Sequence, residues 1–295
     1  MDGLKSNKLH DIYLWFKDGL HHWDDPNEKS AITNEVFHRF FDLGPEQRII
    51  NRDMRLNESA IVRLRKARNK LMKGEPVQYV TGIAEFYGLA LHVEPGVLIP
   101  RPETEGLVIW ILEHINKTFG PNESINIQDV GTGSGCIAIA LAATRKNATC
   151  SGCDLNAQIL EIARINALSI NVSINFFTCD LLHPGQESAD QMNLDIMVSN
   201  PPYVLESEKL QMAKHVMDYE PHHALFVPDN DPLLFYRHLA NRARQCLKRG
   251  GWLFVEINEQ YGAETVQLFA EKGLAHIELK QDFHGKNRFI KASVL

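Results

Sequence analysis

No apolar run in the 295 residues is long enough to span a bilayer, which takes about 20 residues. The start, Met1-Asp2-Gly3-Leu4-Lys5, lacks the apolar stretch of a secretory signal. Cysteine is scarce: Cys136, Cys150, Cys153, Cys179 and Cys246. An odd count, with four of them in expected core elements, argues against a disulfide framework. Cys150-x-x-Cys153 has no second pair and no histidine at ligand spacing, so it reads as buried thiols and no metal site is expected. Neither sign of charge dominates: the net charge is −6, so bulk electrostatics do not draw the molecule to nucleic acid. Internal repeats and low-complexity stretches are lacking. The expectation is a cytoplasmic globular protein with no membrane partner.

What is present falls into three segments. Residues 1–74 read as a small helical domain. Leu9, Ile12, Tyr13, Phe16 and Leu20 recur at helical spacing, as do Ile32, Val36, Phe37 and Phe40. A third helix carries Ile61, Leu64 and Leu71, with Asn57 and Ser59 as candidate caps. Residues 51–74 hold eight basic side chains against Asp53 and Glu58. That excess is either a solvated helix face or a docking face for an acidic protein or RNA. Residues 75–100 alternate apolar and polar positions from Val77 to Val93, with breaks at Gly82 and Gly88, which predicts a β-hairpin linker. Glu103 and Glu105 open the next helix; they either suit its dipole or, for Glu103 with Arg101, line a pocket rim.

Residues 101–295 alternate strand and helix. Strands are expected at 125–130, 148–153, 173–178, 194–199, 252–257, 275–280 and 288–294. Helices are expected at 136–143, 157–168, 232–247 and 260–271, and Gly250-Gly251 is expected as the turn into the strand at 252–257. Such units make a mostly parallel, doubly wound sheet. The last two strands lack an intervening helix, so one of them is expected to be antiparallel.

Two motifs sit at strand ends. The first is Asp129-Val130-Gly131-Thr132-Gly133-Ser134-Gly135. Glycines there let the backbone turn tightly and let a ligand approach it. Cys136 stands where a dinucleotide loop needs its third glycine, and no Gly-Lys-Ser/Thr follows, so neither a dinucleotide nor a phosphate loop fits. Asp154 is placed to accept two ribose hydroxyls, and Asp180 to accept from an adenine amino group. Either acid also reads as a cap or turn residue. An adenosine site without a demand for pyrophosphate favours S-adenosylmethionine (SAM). The second motif is Ser199-Asn200-Pro201-Pro202-Tyr203. A conjugated NH2 group is a poor nucleophile, so a site that alkylates it must orient its lone pair. The Asn200 side-chain carbonyl and the Pro201 backbone carbonyl can take its two N–H bonds. The prolines stiffen the turn, and Tyr203 can lie on the flat face of the target. The same residues also suit a plain strand-ending turn.

These residues resemble class I SAM-dependent methyltransferases, and more closely the HemK/PrmC family of release factor N5-glutamine methyltransferases. Pro76-Val77-Gln78-Tyr79, Gly96–Glu105, Asp129–Cys136, Val198–Tyr203, Tyr219-Glu220-Pro221, Ala224-Leu225, Arg249-Gly250-Gly251 and Glu256-Ile257 carry the resemblance, which spans 76–295. It implies a Rossmann-like α/β fold with a seven-stranded, mostly parallel sheet, an N-terminal helical bundle (1–74), a hairpin linker (75–100) and a methyltransferase domain (101–295). It implies SAM as cofactor and S-adenosylhomocysteine as product. Asp129, Gly131, Thr132, Gly133, Ser134, Gly135, Asp154, Asp180, Leu181 and Asn200 are then the cofactor set. Asn200, Pro201, Pro202 and Tyr203 hold the glutamine of a Gly-Gly-Gln tripeptide. The methyl passes in line to the amide nitrogen, and the proton leaves afterwards. Class I release factors are the implied partner, docked by the bundle, with no stable nucleic-acid partner. The alternatives are a ribosomal-protein glutamine and, further off, a nucleic-acid amino group. The chain departs from the family at Val227–Leu233, where a Gly-Gly-x-Asp-Gly-Leu stretch is common, and at Asn258, where a glycine is.

Overall fold

The apolar stripes of the first segment close on one another. The structure, a computed structural model, describes residues 3–183 and 193–295. Met1 and Asp2 of the start noted above lie outside the described residues. Helices α1 (Leu9–Asp18), α2 (Pro26–Phe41), α3 (Pro45–Ile50), α4 (Glu58–Leu71) and α5 (Val77–Thr81) build a bundle around Leu9, Ile12, Phe16, Val36, Phe37 and Leu64. Starts are locally encoded. The Asp25 carboxylate accepts from the Asn27 N–H ahead of Pro26, and Asn57 Oδ1 accepts from the Ala60 N–H at 2.9 Å. Val77 and Tyr79 are therefore not strand residues, which corrects the expected extent of the hairpin. Pro76 presets the first turn of α5, Gly82 at φ +80° ends it, and Val77 and Val80 pack against the bundle core.

The chain divides into two compact units. One comprises Met1–Ile83 with Ala213–Tyr219; the other comprises Ala84–Met212 with Glu220–Leu295. The first unit thus extends past residue 74 and takes in a distant segment.

The second unit begins at Ala84, inside the hairpin of β1 (Ile83–Phe86) and β2 (Leu89–His92). Its turn residues Tyr87 and Gly88 both have positive φ, as a type I′ turn requires. After α6 (Pro102–Thr118) come β3 (Ile125–Val130), α7 (Cys136–Thr144), β4 (Ala148–Asp154), α8 (Ala157–Ser169), β5 (Ile174–Thr178) and β6 (Leu194–Ser199). Then follow β7 (Val204–Leu205), α9 (Lys214–Tyr219, in the first unit), β8 (Phe226–Val227), α10 (Leu234–Cys246), β9 (Leu247–Glu256), α11 (Gly262–Glu271), β10 (Ala275–Gln281) and β11 (Asn287–Ser293). Seven strands form one sheet in the order β10-β11-β9-β6-β3-β4-β5. β11 is antiparallel to both β9 and β10, and the other pairs are parallel. The Gly250-Gly251 turn expected before the fifth strand lies inside β9. Gly250 at φ +79° makes an irregularity in its pairing with β6, and the strand begins earlier, at Leu247.

Helices cover both faces of the sheet, as parallel strands demand. α6, α7 and α8 enclose one core and α10 and α11 the other. α7 is apolar all round, with Ile137 to Ala142 buried. The strand order reverses between β3 and β6, so their carboxyl ends border a crevice of the kind where α/β sheets bind ligands. Among the described residues no helix is long and apolar enough to cross a membrane.

Candidate active site

Val130 and Ser199 end the two strands at this switch point, and Ser199 Oγ donates to the Val130 carbonyl at 2.6 Å. That bond joins the bases of the two motifs. Each motif then leaves the sheet from the same edge.

The glycine loop turns back on β4. The Gly131 and Thr132 N–H groups both donate to the Cys153 carbonyl, at 2.8 and 2.9 Å. Cys150 and Cys153 are buried free thiols that serve the sheet. Gly131, Gly133 and Gly135 all have positive φ, but they do different jobs. A Cβ added at Gly131 or Gly133 meets nothing within 4 Å, so the loop keeps an open cradle there. A Cβ at Gly135 lies 2.9 Å from Ile139 Cδ1 and 3.2 Å from Ala163 Cβ, so this glycine lets α7 and α8 pack. Thr132 Oγ1 donates to Asp129 Oδ2 at 2.7 Å. Asp129 is fully enclosed, and burial pushes its pKa up to about 7 against the pull of Thr132. Ser134 is buried as well.

Asp154 ends β4. One oxygen accepts from the Gly133 N–H at 3.0 Å and the other from the Asn156 N–H at 3.2 Å. The carboxylate is thereby fixed to the loop with lone pairs to spare. Leu155, next to it, is 66% exposed, an apolar side chain left uncovered beside the acid. Asp180 follows β5 and turns on its own loop. Its Oδ1 accepts from the N–H groups of Leu182 and His183, and Oδ2 faces His183 Nδ1 at 3.2 Å. Burial is the largest single influence on this carboxyl and works upward, but the hydrogen bonds from His183 and Leu182 together hold its pKa below the ordinary value. Leu181 packs on the α10 side of the sheet. Asp180 thus serves its own turn, one of the two roles that the sequence left open, with its side chain 35% exposed.

At the second motif, Pro201 is buried and Asn200, Pro202 and Tyr203 are half-buried. Asn200 Nδ2 donates to Thr104 Oγ1 at 3.1 Å, and Thr104 Oγ1 donates to Glu256 Oε2 at 2.7 Å. The Tyr203 hydroxyl donates to Glu256 Oε1 at 2.9 Å. Glu256 is 1% exposed; burial raises its pKa, and the Thr104 and Tyr203 hydrogen bonds work against that rise. Burial and the Glu256 charge hold the Tyr203 hydroxyl protonated, with its pKa well above the ordinary value. Asn258, the departure noted above, donates from Nδ2 to the Tyr203 carbonyl at 3.1 Å and caps the turn after β9. A glycine there could do neither.

Sequence reasoning missed Thr104 and the role of Glu256. Glu256 stands in a matching block, but nothing local shows that it meets residues 53 and 152 positions away. Arg101 is tied to the buried Glu220 at 2.6 Å, and Glu105 accepts from the Tyr87 N–H at the hairpin turn. Both are thus occupied in structure. Among the described residues no cluster of three or more His, Cys, Asp or Glu side chains could hold a metal ion.

Comparison with known proteins agrees with this layout. The Methyltransferase small domain model matches residues 109–225, which include both motifs. The release factor glutamine methyltransferase of Flavobacterium psychrophilum is 38% identical over 91% of this chain and 93% of its own. That of Bacteroides thetaiotaomicron is 41% identical over 76% and 78%. Among solved structures, the hMettl16 catalytic domain in complex with MAT2A 3′UTR hairpin 6 aligns at TM-score 0.55 and 15% identity, covering 81% of this chain and 83% of that one. This last likeness concerns the fold alone, which is the class I SAM-dependent methyltransferase fold. Identity of that extent across nearly the whole length decides the family: this chain belongs to the release factor glutamine methyltransferases.

Proposed function

We propose that this chain transfers a methyl group from SAM to the N5 amide nitrogen of the glutamine in the Gly-Gly-Gln motif of class I release factors, in the cytoplasm. The observation that carries this reading is the bond between Ser199 and Val130, which sets an acceptor-rich Asn-Pro-Pro-Tyr turn beside an open glycine cradle. SAM supplies a methyl group activated on a sulfonium and leaves as S-adenosylhomocysteine. The residues present fit it. Gly131 and Gly133 leave space, Asp154 offers acceptors suited to a ribose diol, and Leu155 and Leu181 offer apolar surface suited to adenine. Asp129, Thr132 and Ser134 fix the loop, and Gly135 fixes the helix behind it.

The Asn200 and Pro201 carbonyls then receive the two amide N–H bonds of the glutamine. This arrangement twists the nitrogen lone pair out of conjugation and orients it, which is catalysis by positioning rather than by a strong base. Pro202 stiffens the turn, and the anchored Tyr203 ring flanks the planar amide.

The test offers SAM with labelled methyl to the purified chain and three acceptors: a class I release factor, the same factor with Gln changed to Ala in Gly-Gly-Gln, and duplex DNA. Label on the first alone supports the reading. Label on DNA overturns it, and label on none of the three redirects the search to ribosomal proteins.

Two further results are expected. Asp154→Ala should raise the SAM dissociation constant by about tenfold or more, the equivalent of roughly 1.4 kcal/mol of lost charged hydrogen bonds. Unchanged binding by calorimetry removes Asp154 from the cofactor set. The helical unit is proposed to dock the release factor through its exposed basic side chains, among them Arg52, Arg55 and Lys66. Replacing all three with alanine should raise KM for the intact factor about tenfold at low salt and leave a short Gly-Gly-Gln peptide unaffected. Equal loss on both acceptors speaks against docking there.

A further inference from the structure

The Asn200 amide has two faces of opposite character, and only one serves the reaction proposed above. Its carbonyl accepts a hydrogen bond, whereas its NH2 group would meet a substrate N–H donor to donor. The turn itself does not choose between them, because a rotation of about 180° about the last side-chain bond exchanges the two at nearly equal shape. The choice is made by Thr104. A threonine hydroxyl has one proton, and that proton goes to Glu256 Oε2 at 2.7 Å. What Thr104 Oγ1 offers Asn200 is then a lone pair, which only the NH2 group can use, at 3.1 Å.

Glu256 sets the direction of the chain of bonds. It receives one hydroxyl on each oxygen, Thr104 on Oε2 and Tyr203 on Oε1. A carboxylate with both oxygens so occupied acts as an acceptor only. Thr104 and Glu256 are 2% and 1% exposed, so water does not compete for these bonds. The elements that bring them together are the first turn of α6 and the last residue of β9.

We infer that Thr104 and Glu256 are positioning residues that lock the Asn200 side chain with its NH2 turned inward and its carbonyl turned to the acceptor amide. Neither touches the substrate. The same carboxylate holds the Tyr203 hydroxyl, so one buried acid sets both side chains of the acceptor site. The inference rests on the reading of Asn200 as the residue that receives the substrate N–H.

The test compares Thr104→Val, Thr104→Ser and Glu256→Leu with the wild-type chain. Valine keeps the shape of threonine and removes the hydroxyl, and serine restores it. Single-turnover methyl transfer to the release factor should fall about 100-fold in Thr104→Val, the scale of one lost preorganised hydrogen bond, and stay within about threefold in Thr104→Ser. The SAM dissociation constant, read by calorimetry, should change less than about threefold in both. Asparagine-selective ¹⁵N labelling reads the lock directly. The Asn200 side-chain NH2, assigned by its loss in Asn200→Asp, should exchange with solvent at least about tenfold faster in Thr104→Val than in wild type. Thr104→Val at the wild-type rate, or equal NH2 exchange in the two proteins, overturns the inference. Should Thr104→Val not fold, Glu256→Leu removes both acceptor oxygens at similar shape, frees the Thr104 proton to turn on Asn200, and should show the same loss of transfer and faster exchange; unchanged values overturn the inference. A wild-type chain that methylates no release factor refutes the functional reading alone, and the exchange comparison still decides the lock.

Discussion

Asn200→Ala is expected to cut methyl transfer by about 10³-fold or more while changing the SAM dissociation constant by no more than about fivefold, because it removes one of two acceptors that orient the reacting nitrogen. The loss falls on the chemical step. An amide nitrogen left with the Pro201 carbonyl alone can return its lone pair to conjugation. The cofactor set barely changes, since the loop is held through Cys153 and Asp154 and not through Asn200. Single-turnover rates and calorimetry on the same preparation separate the two effects. A variant that loses SAM affinity in proportion to rate shows that Asn200 belongs to the cofactor site first.

The second large effect is on stability. Asp129 has a pKa of about 7 in the folded chain against an ordinary 3.8, because burial disfavours its charge. Below about pH 3 the carboxyl is protonated folded or unfolded, and it costs nothing. As pH rises from 4 to 7 the unfolded chain ionises while the folded chain does not, so stability falls. Above 7 both are ionised and the penalty is constant, at most about 4 kcal/mol. Asp129→Asn carries no such charge. The variant should therefore melt close to the wild-type chain at pH 4.5 and above it at pH 8, with the gap opening across that window. Parallel melting curves at all pH values show that Asp129 is ionised in the folded chain without cost.

Much of the second unit was legible because parallel strands buried on both faces are short apolar runs. Leu194–Ser199 and Ile125–Val130 begin and end where the sequence placed them. The two motifs were legible for a different reason, since each is a contiguous turn whose residues act on their immediate neighbours. Val77–Thr81 was misread because five residues are too few to separate a period of 2 from one of 3.6. The Gly250-Gly251 irregularity inside β9 was read as a turn, because two glycines suit both. Thr104 and Glu256 were invisible for a structural reason. Their bond spans 152 residues and exists only once α6 and β9 are in place. The division of work among the three loop glycines also depended on what packs behind each of them.

The segment Ala213–Tyr219 has a consequence for how the chain is made. The helical unit is encoded first, yet its last helix follows β6 by more than a dozen residues. On a ribosome that releases the chain from its N-terminus, residues 3–83 emerge long before the segment that joins them. The core of the bundle is drawn from residues 4–80 alone, but α9 joins the unit only after four strands of the sheet are synthesised. The two units therefore do not mature one after the other as separate beads. A cut placed at residue 74 or 83 leaves α9 of the first unit stranded with the second.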